Sequence, residues 1–174
     1  MDAPRSCEAS GMPSESSERN KWLLQDDQSI LAACRQETFV ASGNGGQKRN
    51  HTNTAVRLIH TPSGVVVTDC ETRSQQRNRE IALRKLRLTI AMTIRGPELP
   101  QPDCHMSINN PRYPILVAWL MDLLIKNNLD PKLVAEISGQ SRTGLLKLLA
   151  RDSQLWQHFS ELRARAGLPT LRSP

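Results

Sequence analysis

The sequence predicts an α+β fold: a strand, a glycine-rich loop, a β-hairpin and a long helix, followed by a small all-α module with a helix-turn-helix-like segment. Three observations predict it. Alternating and β-branched residues flank a turn at residues 61–64. Apolar residues recur every three or four positions from Leu83 to Ile94. Beyond a proline-rich stretch, every apolar run has helical spacing. The aromatic content of 3% argues against a large sandwich or barrel core, and 174 residues suffice for one ordinary domain or two small ones.

Taken in order, residues 1–21 are polar and rich in Ser and Glu, with almost nothing to bury, and are expected to be disordered. Trp22 to Leu31 mixes apolar and acidic residues and fits a short helix or a lead-in. Thr38 to Ala41, reaching back toward Cys34, reads as a strand feeding the glycine loop. Ala55 to His60 alternates, with Val56 and Leu58 on one face; Thr61-Pro62-Ser63-Gly64 is a turn, and Val65 to Thr68 is β-branched throughout. Together these make a hairpin.

A long helix comes next. Thr72 with Gln75 has capping-box chemistry, and Ser74 is a competing N-cap. Leu83, Leu86, Ile90 and Ile94 form an apolar stripe opposite Arg77, Arg84 and Arg87, and Gly96-Pro97 ends the run. Residues 96–114 hold five of the chain's eleven prolines and read as an irregular linker. Helices are expected over Ile115–Lys126, Pro131–Ile137, Ser141–Ala150 and Leu155–Ala166. Within Val134–Leu149, two short helices meeting at Gly139 give the helix-turn-helix-like segment. Trp119, Leu120, Leu123, Leu124, Leu145, Leu148 and Trp156 are the expected core of the helical module. The boundaries are therefore 1–21, 22–95, a linker at 96–111, and a helical module at 112–174.

The formal net charge of +6 is unevenly placed. Residues 1–42 carry 4 basic and 7 acidic side chains, residues 43–95 carry 10 and 3, and residues 96–174 carry 9 and 7. A positive field centred on the glycine loop suits a polyanionic partner. Cys7, Cys34, Cys70 and Cys104 form no CxxC pair and come after no secretory apolar segment, which points to free thiols in a reducing cytoplasm. Cys104-His105 has no second ligand pair at zinc-like spacing, so neither metal nor cofactor is expected. No apolar run approaches the ~18 residues of a membrane span.

Ser42-Gly43-Asn44-Gly45-Gly46-Gln47 can bring peptide N–H groups hard against another molecule, because glycines accept positive φ and carry no Cβ. Gln47 offers an amide donor and acceptor but no ionisable group, so it can orient water or stabilise developing charge but cannot act as a general base. A dinucleotide fingerprint would need glycine where Lys48 stands, and the Gly-Lys-Ser/Thr of a phosphate-binding loop is absent. Alone, the hexapeptide is too short to tell a working loop from a glycine-rich surface turn, and the turn is the commoner case.

The flanks decide it. Gly43 to Gln47, Asn50, Thr52 and Thr54, Ala55-Val56-Arg57, Pro62-Ser63-Gly64, Val65 to Val67, and Arg73-Ser74-Gln75 with Asn78 occur in one ungapped run, with Thr38-Phe39 ahead of it. This run resembles the catalytic domain of the class I peptide-chain release factors. The resemblance implies a compact two-layer domain whose loop enters the ribosomal peptidyl-transferase centre. There Gly45, Gly46 and Gln47 would help water attack the ester of peptidyl-tRNA, with Gln47 a methylation acceptor. Lys48, Arg49, Asn50, Arg57, Arg73, Arg77 and Arg79 would contact large-subunit ribosomal RNA; each is also compatible with a solvated face. Ser74, Gln75 and Asn78 read alternatively as helix-capping groups, and His51 and His60 carry no assigned role.

Val40 replaces an arginine usual in the family, and Arg49 a frequent valine. The 42 residues before the loop, net acidic, are too few for a stop-codon reader, and Arg163, Arg165 and Arg172 make a sparse basic tail. The expected activity is thus codon-independent hydrolysis of peptidyl-tRNA by a monomer, as in ribosome rescue, with the ribosome and peptidyl-tRNA as partners. A non-catalytic RNA-binding module is the alternative. A DNA-binding regulator using Arg142, Lys147 and Arg151 is the third reading, and ordinary helix packing competes with it.

Overall fold

A computed structural model describes residues 15–40 and 54–174. Among them lie a three-stranded antiparallel sheet and seven helices, a mixed α and β composition. Helix α1 (Glu15–Leu24) corrects the expectation of disorder through residue 21. Ten residues make a marginal helix in isolation, so tertiary contacts must hold this one. Trp22 and Leu23 are buried, and Arg19 is fully enclosed. Its guanidinium donates to Asp122 Oδ2 at 2.7 Å and to the Ile94 carbonyl at 3.3 Å. Residues 1–14 lie outside the described residues.

Helix α2 (Asp27–Ala32) starts where the Asp26 carboxylate accepts from the Ser29 N–H at 2.8 Å, and it buries Ile30. Strand β1 is Cys34–Phe39, beginning at the Cys34 to which the expected strand reached back; Ala41 lies outside the described residues. Strands β2 (Ala55–His60) and β3 (Val66–Asp69) form the hairpin, turning through Gly64 at φ 68°. A side chain there would be strained, so the turn calls for glycine. The sheet order is β1-β2-β3, with Phe39 opposite Ala55 and Val56 opposite Asp69. Val56, Leu58 and Val67 are buried, while Arg57 and Thr68 face outward, as a period of two requires.

Helix α3 (Gln75–Thr93) packs on β2 and β3 as the second layer, burying Ala82, Leu83, Leu86 and Ile90. Of the two competing caps, Ser74 takes the position: its hydroxyl accepts from the Arg77 N–H at 3.3 Å. Arg87 departs from the solvated arginine face predicted for this helix. It is buried, ion-paired with Asp27 at 2.9 Å and bonded to the carbonyls of Leu23 and Gln25. The chain between α1 and α2 folds over it and supplies the acceptors.

Residues 96–112 form no helix or strand, yet they are tied down. Gln101 donates to the Ser138 carbonyl, Arg84 to Asn109, and Arg151 to the carbonyls of Cys104 and Met106. Helices α4 (Tyr113–Lys126), α5 (Pro131–Ile137), α6 (Arg142–Ala150) and α7 (Ser153–Arg165) come after them. Asp130, Ser141 and Asp152 cap the last three through side-chain oxygens. Gly139 turns α5 into α6 at φ 66°. Trp119, Leu120, Leu124, Leu145 and Leu148 are buried as expected, whereas Leu123 and Trp156 are half-buried against the same core.

The buried cluster does not stop at the linker. It runs without a break from the sheet through α3 into α4 and on to Phe159 of α7. At the same junction Asp122 of α4 receives Arg19 from one side and Arg95 at 2.8 Å from the other. No helix among the described residues is long and apolar enough to cross a membrane.

Candidate functional site

The chain enters and leaves the glycine-rich segment at one end of the sheet. Because Phe39 of β1 pairs with Ala55 of β2, the segment between them leaves and re-enters at adjacent positions. Gly45, Gly46, Gln47, Lys48, Arg49 and Asn50 lie outside the described residues; the described part is a platform formed by this end of the sheet and the start of α3.

That platform is built around a buried amide. Asn78, fully enclosed in the first turns of α3, makes four hydrogen bonds. Its Oδ1 accepts from the Thr72 N–H at 2.8 Å and from Thr72 Oγ1 at 2.7 Å. Its Nδ2 donates to the Thr54 carbonyl at 2.6 Å and to the Thr72 carbonyl at 2.9 Å. Thr54 is the residue at which the loop rejoins the sheet. Asn78 therefore locks the loop's exit, the β3–α3 connection and the start of α3 into one unit. A capping role, the simpler reading from sequence, is not what it has; Ser74 performs that task and Gln75 is merely the first helical residue. The signal that could have shown this is the spacing of Thr72, Ser74 and Asn78, two polar groups at a helix entrance followed by an amide on its inner face.

Beside the lock, Asp69 is buried at the end of β3 and receives Lys85 Nζ at 2.6 Å; Glu71 receives the same ammonium at 2.7 Å. Burial works against the Lys85 charge, but the two carboxylates outweigh it and hold the ammonium above the usual lysine range. This pair braces β3 against α3 and leaves Lys85 occupied.

The arginines are disposed differently. Arg57 lies on the outer face of β2, 5.4 Å from the centre of the Phe39 ring and 3.4 Å from Glu37. Arg73 and Arg79 are exposed, and Arg77, also exposed, lies 3.8 Å from Glu80. Arg73 and Arg77 flank the N-terminus of α3 at the loop end of the sheet, with no acidic residue in the first helical turn. The helix dipole disfavours a cation there by a few tenths of a kcal/mol up to about 1. Such a placement is locally unfavourable, and an approaching polyanion would reverse its sign. Arg57 on the outer face of β2 and Arg73, Arg77 and Arg79 at the start of α3 are thus exposed, while Lys85 and Arg87 serve the scaffold.

Other candidate groups are accounted for within the fold. His60 is buried, its Nδ1 is 2.7 Å from Ser63 Oγ, and its ring meets Trp22 edge-on at 5.1 Å. Burial holds its pKa below the ordinary histidine value. Cys104 is buried, burial pushing its thiol pKa up, and no His/Cys/Asp/Glu group among the described residues could hold a metal ion. Arg151, one of three cations a DNA-reading helix would use, is spent on the linker carbonyls.

Residues 30–102 match the model of the RF-1 domain. Similar proteins include "Peptide chain release factor 1, mitochondrial" of Mus musculus, 52% identical over 60 residues, which is 34% of this chain and 14% of that protein. "Peptide chain release factor 2" of Variovorax paradoxus is 52% identical over 56 residues, 32% of this chain and 15% of its own length. "Peptide chain release factor 1" of Chlamydia pneumoniae is 43% identical over 76 residues, 44% of this chain and 20% of that protein. In each case the chain spans a fifth or less of the relative.

Proposed function

We propose, from the premise that this chain belongs through its RF-1 domain to the class I peptide chain release factor family, that it promotes hydrolysis of peptidyl-tRNA in the peptidyl-transferase centre of the ribosome without reading a stop codon. The observation that carries the reading is the intact Gly45-Gly46-Gln47 inside the matched stretch 30–102, joined to the sheet at Thr54 by the Asn78 lock. The loop would supply backbone N–H groups and the Gln47 amide to place a water and to stabilise oxyanion charge as the ester is attacked. The ribosome would supply the remainder of the site. Arg57, Arg73, Arg77 and Arg79 would meet ribosomal RNA phosphates as the loop enters, with Lys48, Arg49 and Asn50 nearer its tip. Codon independence is supported by the change of architecture past residue 102, where the release-factor match gives way to helices α4–α7.

The test is peptide release from ribosomes stalled on an mRNA lacking a stop codon. Purified chain is expected to release the peptide equally with and without a stop codon in the A site. Gly46→Ala and Gln47→Ala should abolish release while leaving ribosome binding in place. Equal behaviour of wild type and both variants would overturn the reading, and strict dependence on a stop codon would overturn its codon-independent part.

A further inference from the structure

The helical module contains a cavity whose charge balance differs from the others described in the fold. A cavity of about 550 Å³ is bounded by Lys132, Arg142 and Arg163, with Asp130, Leu168 and Leu171 completing much of its wall. Three cations face one carboxylate. By contrast, the cavity between α2, α3 and the linker mixes Asp26, Asp27, Glu80 and Asp152 with Arg84, Arg87 and Arg112, and its charges roughly cancel.

Arg163 forms the buried part of the site. Its guanidinium has five N–H donors but, among the described residues, only two protein hydrogen-bond acceptors, the carbonyls of Leu129 at 2.6 Å and Pro169 at 2.9 Å. Its Nε–H is buried with no acceptor among the described residues. No carboxylate among the described residues pairs with it, in contrast to Arg19, Arg87 and Arg95. Its guanidinium carbon also lies 5.7 Å from the centre of the Phe159 ring, but two carbonyl dipoles and a ring face leave the Nε–H unsatisfied and the charge without a counter-ion, which a bound anion would supply. Lys132 and Arg142 stand exposed beside it, and neither has an ion-pair partner among the described residues. The Asp130 carboxylate is engaged with the Lys132 backbone N–H at 2.8 Å, where it caps α5.

The cavity wall includes no aromatic ring on which a base could stack. Its chemistry is that of phosphate contact, for which paired guanidinium groups are well suited. We propose that the Lys132–Arg142–Arg163 cavity is a phosphate-binding site through which the helical module grips an RNA backbone. The site goes beyond the release reading and stands whether or not Gln47 promotes hydrolysis. It gives the chain a second RNA contact, on the module C-terminal to the RF-1 domain.

The test uses the full chain and a fluorescein-labelled RNA hairpin, with anisotropy followed across a potassium chloride series. Lys132→Gln with Arg142→Gln changes two exposed side chains, so the melting temperature should stay put. Loss of two phosphate contacts should make the plot of log affinity against log salt shallower by about 1.5. Affinity near physiological salt should fall about tenfold. Arg112→Gln with Lys147→Gln removes the same charge elsewhere on the surface and should change the slope far less. An equal loss in both double variants would show a net-charge effect and overturn the site, as would no loss in the first. Displacement of the RNA by poly-glutamate as readily as by unlabelled RNA would point to an acidic protein partner and overturn the RNA assignment. Gln47→Ala should bind the hairpin like wild type, so failure of release and failure of this site are read separately.

Discussion

Replacing Asn78 by alanine should be the most damaging single change on the platform. The side chain is fully buried and makes four hydrogen bonds, to Thr72 N–H, Thr72 Oγ1, Thr54 O and Thr72 O. Alanine would leave one N–H and two carbonyls without those partners. An ordinary hydrogen bond contributes about 0.5–1.5 kcal/mol net, and a buried group left unsatisfied costs about 1–3. Thr72 Oγ1 can still bond within its own turn, and part of the site is open to water, so the sum falls below four full penalties. The expected loss is about 2–4 kcal/mol, measured as the change in urea midpoint at constant slope. Asn78→Asp keeps the acceptor but turns a carboxylate toward two carbonyl oxygens, and it should be no better than alanine. Hydrogen exchange supplies the second readout: the Thr72 amide should lose protection in both variants while amides in the middle of α5 keep theirs. A loss below about 1 kcal/mol, with Thr72 protection intact, would refute the assignment of Asn78 as the lock.

Asp122→Asn removes the carboxylate that answers the enclosed Arg19, and about 3–5 kcal/mol should be lost in equilibrium urea unfolding. Adding Arg19→Met should restore part of it; no recovery would show that the uncompensated charge was not the cause. Gly96→Ala would bring a Cβ to 2.8 Å from Arg19 Nε, and Arg19 is pinned, so a drop of about 1–3 kcal/mol should appear as a lower melting temperature. Its effect should be less than additive with Asp122→Asn, since both act through one guanidinium. His60 and His158 both have pKa values lowered chiefly by burial. The unfolded chain then binds protons that the folded chain refuses, so stability is full above the unfolded value of 6.5 and falls as pH drops below it toward the folded values. The slope is at most about 1.4 kcal/mol per pH unit for each proton, and His60→Gln should flatten it; an unchanged slope would remove His60 from the account.

Local periodicity carried most of the fold. The hairpin at Ala55–Thr68 and the helices after residue 112 could be read because alternation and three-to-four spacing are written within a few neighbouring residues. The features that escaped such reading depend on partners far away in the chain. Helix α1 looked disordered because Arg19 finds its carboxylate 103 positions later. Arg87 looked solvated because Asp27 lies 60 positions earlier and reaches it only once α1 and α2 have docked. At the candidate site the residue types were visible as a motif, and the structure shows Arg57, Arg73, Arg77 and Arg79 exposed. The function of Asn78 as a lock needed coordinates, since an amide at a helix entrance looks alike whether it caps or bridges.

The unbroken core has a consequence for how such a protein can be taken apart or inherited. A fragment ending with the matched stretch at residue 102 would keep its motif but bare the flank of α3 that α4 covers, together with Arg19 and Arg95 stripped of Asp122. Such a fragment would be sticky and short-lived. The two halves are better regarded as one heritable unit, in which drift on either side of the seam must be answered on the other.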